Sequence, residues 1–379
     1  MEGWPSGLRR TLGKRVGVKA SRGFESHSFL QPNRGNMKTA LSFDDVLLVP
    51  GYNDIESRSD VTLETDVAGV DLHLPIIAAN MPSVCEADMA VALADAGGMG
   101  IVHRMQSIES QCDQVIAAAM HGPVGGAIGI GDDWKVRAES LIGARASVIC
   151  LDVAHGHQHR VMEVALEFLD SYKLPLIVGN VATGHSARHF ASEINDLDHS
   201  RVALKVGVGG GSVCTTRIKT GFGVPTLQSV VDVYEVLDDL NSDMSIIADG
   251  GIKGSGDIVK ALAAGADAVM LGSLLAGTRE APGDVIKDDK TGLKYKVYRG
   301  AASYGAKQAH FGEAEYVEGA ERLVPYKGHV GKTLNSLADG IKSGLTYCGV
   351  DNVTDLLDEA EFIRITEAGY KESLPHGIF

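Results

Sequence analysis

The sequence predicts a (β/α)8 TIM barrel with a flap inserted after its eighth strand. Three observations predict it. Eight short apolar runs fall between Leu74 and Ser273, with helical patterns between them. The runs are almost continuously apolar rather than alternating, as parallel strands covered on both faces require. Eight βα units in about 200 residues match the count and length of a closed barrel. A doubly wound sheet is the rival, but it lacks its signature. Gly207 and Gly209 open a GxGxxG pattern, and Ser212 stands at its third position.

The elements follow in order. Residues 1–36 are basic, without an apolar period and without the apolar stretch of a signal peptide. They are expected to be a disordered arm or a mis-assigned extension before a true start at Met37. The segment "GFES" (23–26) is what the T-arm of a transfer RNA gene gives when read as codons. Residues 37–379 then make a single barrel. Its strands are "LPIIAAN" (74–80), "GMGIVH" (98–103), "VGGAIGI" (124–130), "SVICLDV" (147–153), "LPLIVGN" (174–180), "VALKVGV" (202–208), "MSIIADG" (244–250) and "DAVMLGS" (267–273). Between them lie amphipathic patterns such as "EADMAVALADAG", "RVMEVALEFLDSY", "TLQSVVDVYEVLDDL" and "GDIVKALAAGA". A charged, glycine-containing stretch from about Glu280 to Gly328 follows strand eight. Its Asp-Asp-Lys-Thr-Gly portion reads as a hairpin turn, and the rest as a mobile flap over the barrel mouth, where a lid would exclude water.

Composition narrows the function. The net charge of −14 disfavours a nucleic-acid partner, which needs Lys/Arg surfaces. It leaves room for a small anion held by backbone N–H groups. The five cysteines are widely spaced and form no CxxC, so a disulfide framework or zinc site is not expected and a reducing cytoplasm fits. No apolar run reaches the length of a membrane span.

Chemistry in a barrel sits at the C-terminal strand ends. Those ends carry Asn80-Met81, His103-Arg104, Asp152 with His155 and His157 beyond, Asn180, Asp249-Gly250-Gly251 and Gly272-Ser273. After strand six comes "VGVGGGSVCTTRIKTG" (206–221), a glycine-rich loop around Cys214, with Thr215, Thr216 and Arg217 following. A thiol in that setting has the context of an activated nucleophile. Cys150 lies inside an apolar strand and Cys112 on a helix, so both read as structural. Loops after strands seven and eight are the usual phosphate site, and Ser212 could add a hydroxyl. Asp249 could accept hydrogen bonds from ribose hydroxyls, or act as a loop carboxylate or helix cap. His155 and His157 could ligate metal, but no carboxylate or third histidine is spaced to join them, so none is expected there.

"LKVGVGGGSVCTTRIKTGFGVP" resembles the catalytic loop of the IMP dehydrogenase/GMP reductase family. So, in family order, do "LSFDDVLLVP" (41–50), "PIIAANM" (75–81), "GIVHRM" (100–105), "GNVAT" (179–183), "IIADGGIKGSGDI" (246–258), "VMLGSLLAGT" (269–278), "YKVYRG" (295–300) and "VPYKG" (324–328). The resemblance implies a barrel that is usually a homotetramer, and a purine nucleotide substrate. It implies that Cys214 attacks C2 of the purine to give a covalent thioimidate, E-XMP*. Met81, Ser212, Asp249, Gly250, Gly251, Gly272, Ser273, Tyr298, Gly300, Ala301 and Ala302 would face the nucleotide. Asp152, Asn180 and Thr183 would face the cofactor. The carbonyls of Gly209, Gly211 and Cys214 would hold K+, with the C-terminal "KESLPH" as a neighbouring subunit's share.

Two reactions belong to this family, and the resemblance leans to GMP reductase with NADPH. Only about 20 residues separate His103 from Val124, so the two-module regulatory insertion of most dehydrogenases is absent. The water-activating arginine of the dehydrogenase flap is replaced in "GEAEYVEG" (312–319) by Ala314 or Glu315. Without a base a dehydrogenase stalls at the thioimidate. Glu318 would pair with Thr216 to handle the proton of departing ammonia. The alternative is an IMP dehydrogenase using NAD: "LDVAHGH" and the tail lean that way. Gly300-Ala301-Ala302 lacks the methionine of the family's base loop, which leaves a modified purine open. Gly210 stands in place of a proline and is expected to loosen the catalytic loop.

Overall fold

The computed structural model describes residues 38–300 and 319–375. Eight parallel strands close into one barrel. In chain order they are β1 (Ile76–Ala78), β2 (Met99–Val102), β3 (Val124–Ile128), β4 (Val148–Asp152), β5 (Leu176–Val181), β6 (Val202–Val206), β7 (Ser245–Asp249) and β8 (Ala268–Leu271). Each pairs with its chain neighbour, and β8 closes on β1 through Val269↔Ile76 and Leu271↔Ala78. Closure excludes the doubly wound alternative. The strands are shorter than the apolar runs, because their ends turn into the mouth loops that carry polar residues.

The helices alternate with the strands: α1 (Ala87–Asp95), α2 (Ile108–Ala119), α3 (Trp134–Gly143), α4 (His159–Ser171), α5 (Gly184–Glu193), α6 (Thr226–Asp239), α7 (Ser255–Ala263) and α8 (Val330–Cys348). Each buries one apolar stripe, for example Val161, Val164, Ala165 and Phe168 of α4. The β2–β3 connection consists of α2 and its loops. A hairpin, Thr65–Val67 with Val70–Leu72, covers the N-terminal end of the barrel. Its Ala68 N–H donates to the hydroxyl of Ser245 at the start of β7, 3.0 Å away. The opposite, C-terminal end is left for the mouth loops.

Beyond β8 the described part of the flap is an antiparallel sheet of Ile286–Lys287, Lys294–Arg299 and Glu321–Pro325. The turn expected at Asp288–Gly292 closes its first hairpin, with the Gly292 N–H donating to the Asp288 carbonyl at 2.8 Å. Both limbs of the flap are thus held in regular structure. Its expected mobile centre, with Ala301, Ala302 and Glu318, lies outside the described residues, as does the N-terminal extension.

Candidate active site

A thiol stands in the loop after β6 at the barrel mouth. Cys214 follows β6, in a turn closed by its own N–H donating to the Gly211 carbonyl at 3.0 Å. Its Sγ lies 3.2 Å from the Thr216 Oγ1. The loop does not hang free. Arg217 folds back so that its guanidinium donates to the carbonyls of Val208 and Val224, which also form a β-bridge. On the other side Cys214 bridges to Gly319 of the flap, and the Ala320 N–H donates to the Val213 carbonyl at 2.8 Å. Inside β4, burial pushes the Cys150 thiol up to about 12, so it stays protonated.

The loops after β6 and β7 meet backbone to backbone. A Cβ on Gly250 would stand 3.0 Å from the Gly211 nitrogen, and one on Gly210 would stand 2.5 Å from the Thr226 Oγ1. Gly210 thus also sits close against α6. A side chain there would have to displace the Thr226 hydroxyl.

A charged network lies beneath this loop. Lys205 of β6 is buried, yet its Nζ reaches the Asp152 Oδ1 at 3.1 Å and the Asp249 Oδ2 at 3.4 Å, and it bonds to the Asn180 Oδ1. The Asn180 amide in turn donates to the Asp249 Oδ2 at 2.7 Å. Burial alone would raise the Asp152 pKa. The Lys205 and Arg104 charges, with a hydrogen bond from Asn80, hold it below the usual carboxylate range. Burial likewise opposes the Lys205 charge, but Asp152 and Asp249 leave its pKa above the ordinary lysine value. Asp249 is thus no free loop carboxylate, and one cation joins the two aspartates.

A second cluster gathers around Tyr298. It is buried, and its hydroxyl lies 4.0 Å from the Met81 sulfur. A Cβ on Gly272 would stand 2.7 Å from that hydroxyl, so glycine keeps the space clear. Burial raises the phenol pKa, and a hydrogen bond with Ser212 opposes this. Met81, Ser212, Gly272 and Tyr298 therefore meet at one small-residue pocket. Lys327, from the end of the flap, caps the adjacent loop by donating to the carbonyls of Ser273 and Leu274 at 2.8 and 2.9 Å.

Residues 40–376 match the family model described as "IMP dehydrogenase / GMP reductase domain". The chain belongs to the IMP dehydrogenase/GMP reductase family. An inosine-5'-monophosphate dehydrogenase of Nitrosopumilus maritimus is 33% identical over 481 aligned residues, covering 90% of this chain and 99% of the relative. One from Borreliella burgdorferi is 35% identical over 406 residues, covering 90% and 98%. Among solved structures, a cysteine-to-alanine variant of GMP reductase from Trypanosoma brucei, in complex with guanosine 5'-monophosphate, superposes with a TM-score of 0.83 at 28% identity, covering 91% of this chain and 99% of that one. The chain is accordingly an oxidoreductase of a family that uses nicotinamide dinucleotide cofactors.

Within that family frame the predicted residues fall into two groups. The thiol, Thr216, the Asp249–Gly251 turn and the Tyr298 cluster lie together at the mouth. Gly300 joins them, its N–H donating to the Ala320 carbonyl at 3.1 Å. Asp152 and Asn180 sit beside them, joined through Lys205. Thr183 is otherwise engaged: its hydroxyl caps α5 by accepting the Ser186 N–H at 3.2 Å. Two residues within the motifs take a part that the sequence reading does not assign. Lys205 is the one charge inside "VALKVGV", and nothing in its spacing marks Asp152 and Asp249 as its partners. Arg104 lies beside Asp152 and under Gly129, and its Nε is buried without a partner among the described residues. That orphaned donor, with Asp152 and Asn180, suits a polar head such as a carboxamide.

The structure also corrects the reading of the loop histidines. His157 is not without further histidines: His185 and His189 of α5 reach it, with ring centres 5.3 and 5.2 Å away.

Proposed function

We propose that this family member is a GMP reductase, converting GMP and NADPH to IMP and ammonia. The observation that carries this reading is the pairing of Cys214 with the Thr216 hydroxyl at 3.2 Å, under a flap segment whose Gly319 bridges to the thiol residue. Glu318 immediately precedes Gly319 in sequence, and the dehydrogenase arginine is missing from its segment. The Cys214 thiolate adds to C2 of the purine. The amino group leaves as ammonia with a proton handled by Thr216 and Glu318, giving a thioimidate on sulfur. NADPH, when bound, supplies the hydride that returns C2 to the IMP state and releases the thiolate. Thr216 holds and moves the proton at its Oγ1. Ser212, Tyr298, Gly251, Gly272 and Ser273 bind the phosphate, Asp249 the ribose, and Met81, Gly300, Ala301 and Ala302 face the base. Asp152 and Asn180 orient the cofactor's nicotinamide half.

The proposed K+ site uses the carbonyls of Gly209, Gly211 and Cys214. An all-carbonyl donor set suits a monovalent cation, and the Gly211 carbonyl keeps a second lone pair beyond the one taken by Cys214 N–H. A homotetramer, and residence in the cytoplasm, complete the proposal.

The second reading, an IMP dehydrogenase using NAD, is favoured by the names of the 33% and 35% identical relatives. Nicotinamide absorbance in potassium buffer separates the two. Loss of NADPH with GMP, and none of NADH formed from IMP and NAD, is the expected outcome. NADH formation with IMP would reverse the assignment. The Cys214→Ala variant should bind GMP and turn nothing over; unchanged turnover would remove the nucleophile.

A further inference from the structure

Four imidazoles stand together on the rim beside Asp152 and Asn180. His155 and His157 come from the β4–α4 loop, and His185 and His189 from α5. Spacing of four residues puts His185 and His189 on one face of that helix, the arrangement that lets two imidazoles share a metal ion. His157 is the hub. Its Nε2 lies 3.0 Å from the His189 Nδ1, and its ring is nearly perpendicular to those of His185 and His189, at 76° and 74°.

Two of the three ring spacings suit metal ligation. With metal–nitrogen bonds of about 2.0–2.1 Å, two imidazoles on a tetrahedral ion have ring centres about 5.2 Å apart and nitrogens about 3.3 Å apart. The observed centres, 5.3 and 5.2 Å from His157, already match. The His157–His189 nitrogens have only to part by about 0.3 Å, from a distance at which a shared proton now bridges them. Among the described residues no three such side chains are yet closed around one point. His185, exposed on the first turn of α5, has the freedom to turn its ring inward. A carboxylate stands behind the site: Glu193 Oε1 faces the His189 Nε2 at 3.6 Å. That contact favours the tautomer with a proton on Nε2 and leaves Nδ1 free to ligate.

We propose that His157, His185 and His189 form a binding site for one divalent late transition metal ion of the Zn2+ class, with the fourth position open to solvent. An all-imidazole donor set selects such ions over Mg2+ or Ca2+. The loop that carries His157 is bonded to the cofactor side, with the Gly156 N–H donating to the Asn180 carbonyl at 2.6 Å. Occupancy would tie this loop to α5.

The test is calorimetric titration of Zn2+ into tag-free full-length protein, with Co2+ absorption as the geometric readout. One Zn2+ per chain, intense visible Co2+ bands of a tetrahedral site, and a rise in Tm with Zn2+ are expected. His157→Ala and His189→Ala should each weaken binding at least about tenfold and abolish the Tm rise. His189→Asn serves if an alanine variant misfolds. Cys214→Ala, which keeps the cluster intact, should bind Zn2+ as the wild type does. Equal affinity in the histidine variants, or no binding by the wild type, would overturn the proposal. So would loss of binding in Cys214→Ala, which would put the metal on the nucleophile.

Discussion

Replacing Lys205 with methionine isolates the electrostatics at the barrel mouth. Methionine keeps the length and most of the volume of the buried chain, so it opens little cavity. What it removes is the ammonium that faces both Asp152 and Asp249, at 3.1 and 3.4 Å. Stripping one partner from a buried ion pair costs about 3–5 kcal/mol, because the remaining charge stays desolvated. The two carboxylate side chains are 19% and 23% exposed while Lys205 is 3% exposed, so water reaches the acids in part. The lower end, about 3 kcal/mol, is therefore expected. At about 2 °C per kcal/mol for a large domain, Tm should fall by about 6 °C at pH 7.

The pH dependence checks the cause. Asp152 is held below the usual carboxylate range in the folded wild type. Its contribution is full above about pH 4 and fades as pH falls through that depressed value. In Lys205→Met the Asp152 carboxylate loses the larger of the two charges that hold it down, burial then dominates, and it titrates above its ordinary value. That variant therefore gains stability as pH falls through the raised pKa. The gap between the two proteins should be widest at neutral pH and narrow towards pH 4, measured by urea unfolding at each pH. An unchanged Tm at pH 7 would show that the desolvation of Lys205 cancels its pairing. A gap that stays constant from pH 7 to pH 4 would refute the electrostatic account and leave only packing.

Thr216→Val removes the hydroxyl beside Cys214 Sγ and should lower kcat about 10²–10³-fold with little change in nucleotide KM, whereas Thr216→Ser should keep most activity; equal losses would assign the effect to packing. Tyr298→Phe should raise KM for the purine nucleotide about tenfold and leave kcat within about threefold, as for one lost hydrogen bond to a charged group. Gly207→Ala places a Cβ 2.0 Å from the Asp249 carbonyl oxygen at a φ of +145°; a loss of about 3 kcal/mol or more is expected in urea, and a loss below about 1 kcal/mol would mean that the β6 and β7 ends part easily.

Much of this molecule is legible in its sequence, and the limits have physical reasons. The eight strands show because buried parallel strands need unbroken apolar runs, and eight short runs alternating with amphipathic helical patterns fit a barrel. The catalytic loop shows because a thiol among glycines has no packing explanation. Lys205 is nearly invisible, since one lysine in an apolar strand reads as a chain edge until closure brings Asp152, Asn180 and Asp249 around it. The same holds for the histidines. His157 and His189 lie 32 residues apart, and only the adjacency of β4 and β5 brings them within 3.0 Å. Spacing within one segment reports local chemistry, whereas a barrel assembles its sites from different strands.

That principle also explains how the proposed nucleophile is held. The Cys214 loop has three anchors from separate parts of the chain: the Arg217 guanidinium on Val208 and Val224, the glycine contact with the Asp249–Gly251 turn, and the bridge to Gly319. The first two belong to the barrel and fix where the loop starts and returns. The third belongs to the flap, whose strand Glu321–Pro325 pairs with Lys294–Arg299 and so with Tyr298. Any shift of that sheet therefore reaches the thiol and the Tyr298 pocket together. Nucleotide held at Tyr298 would resist such a shift, and in resisting it would hold Cys214 in place. On this account substrate binding itself orders the nucleophile, so weakening the Cys214–Gly319 bridge should couple a loss in kcat to a loss in nucleotide affinity, even though Gly319 stands in neither the phosphate nor the base contacts.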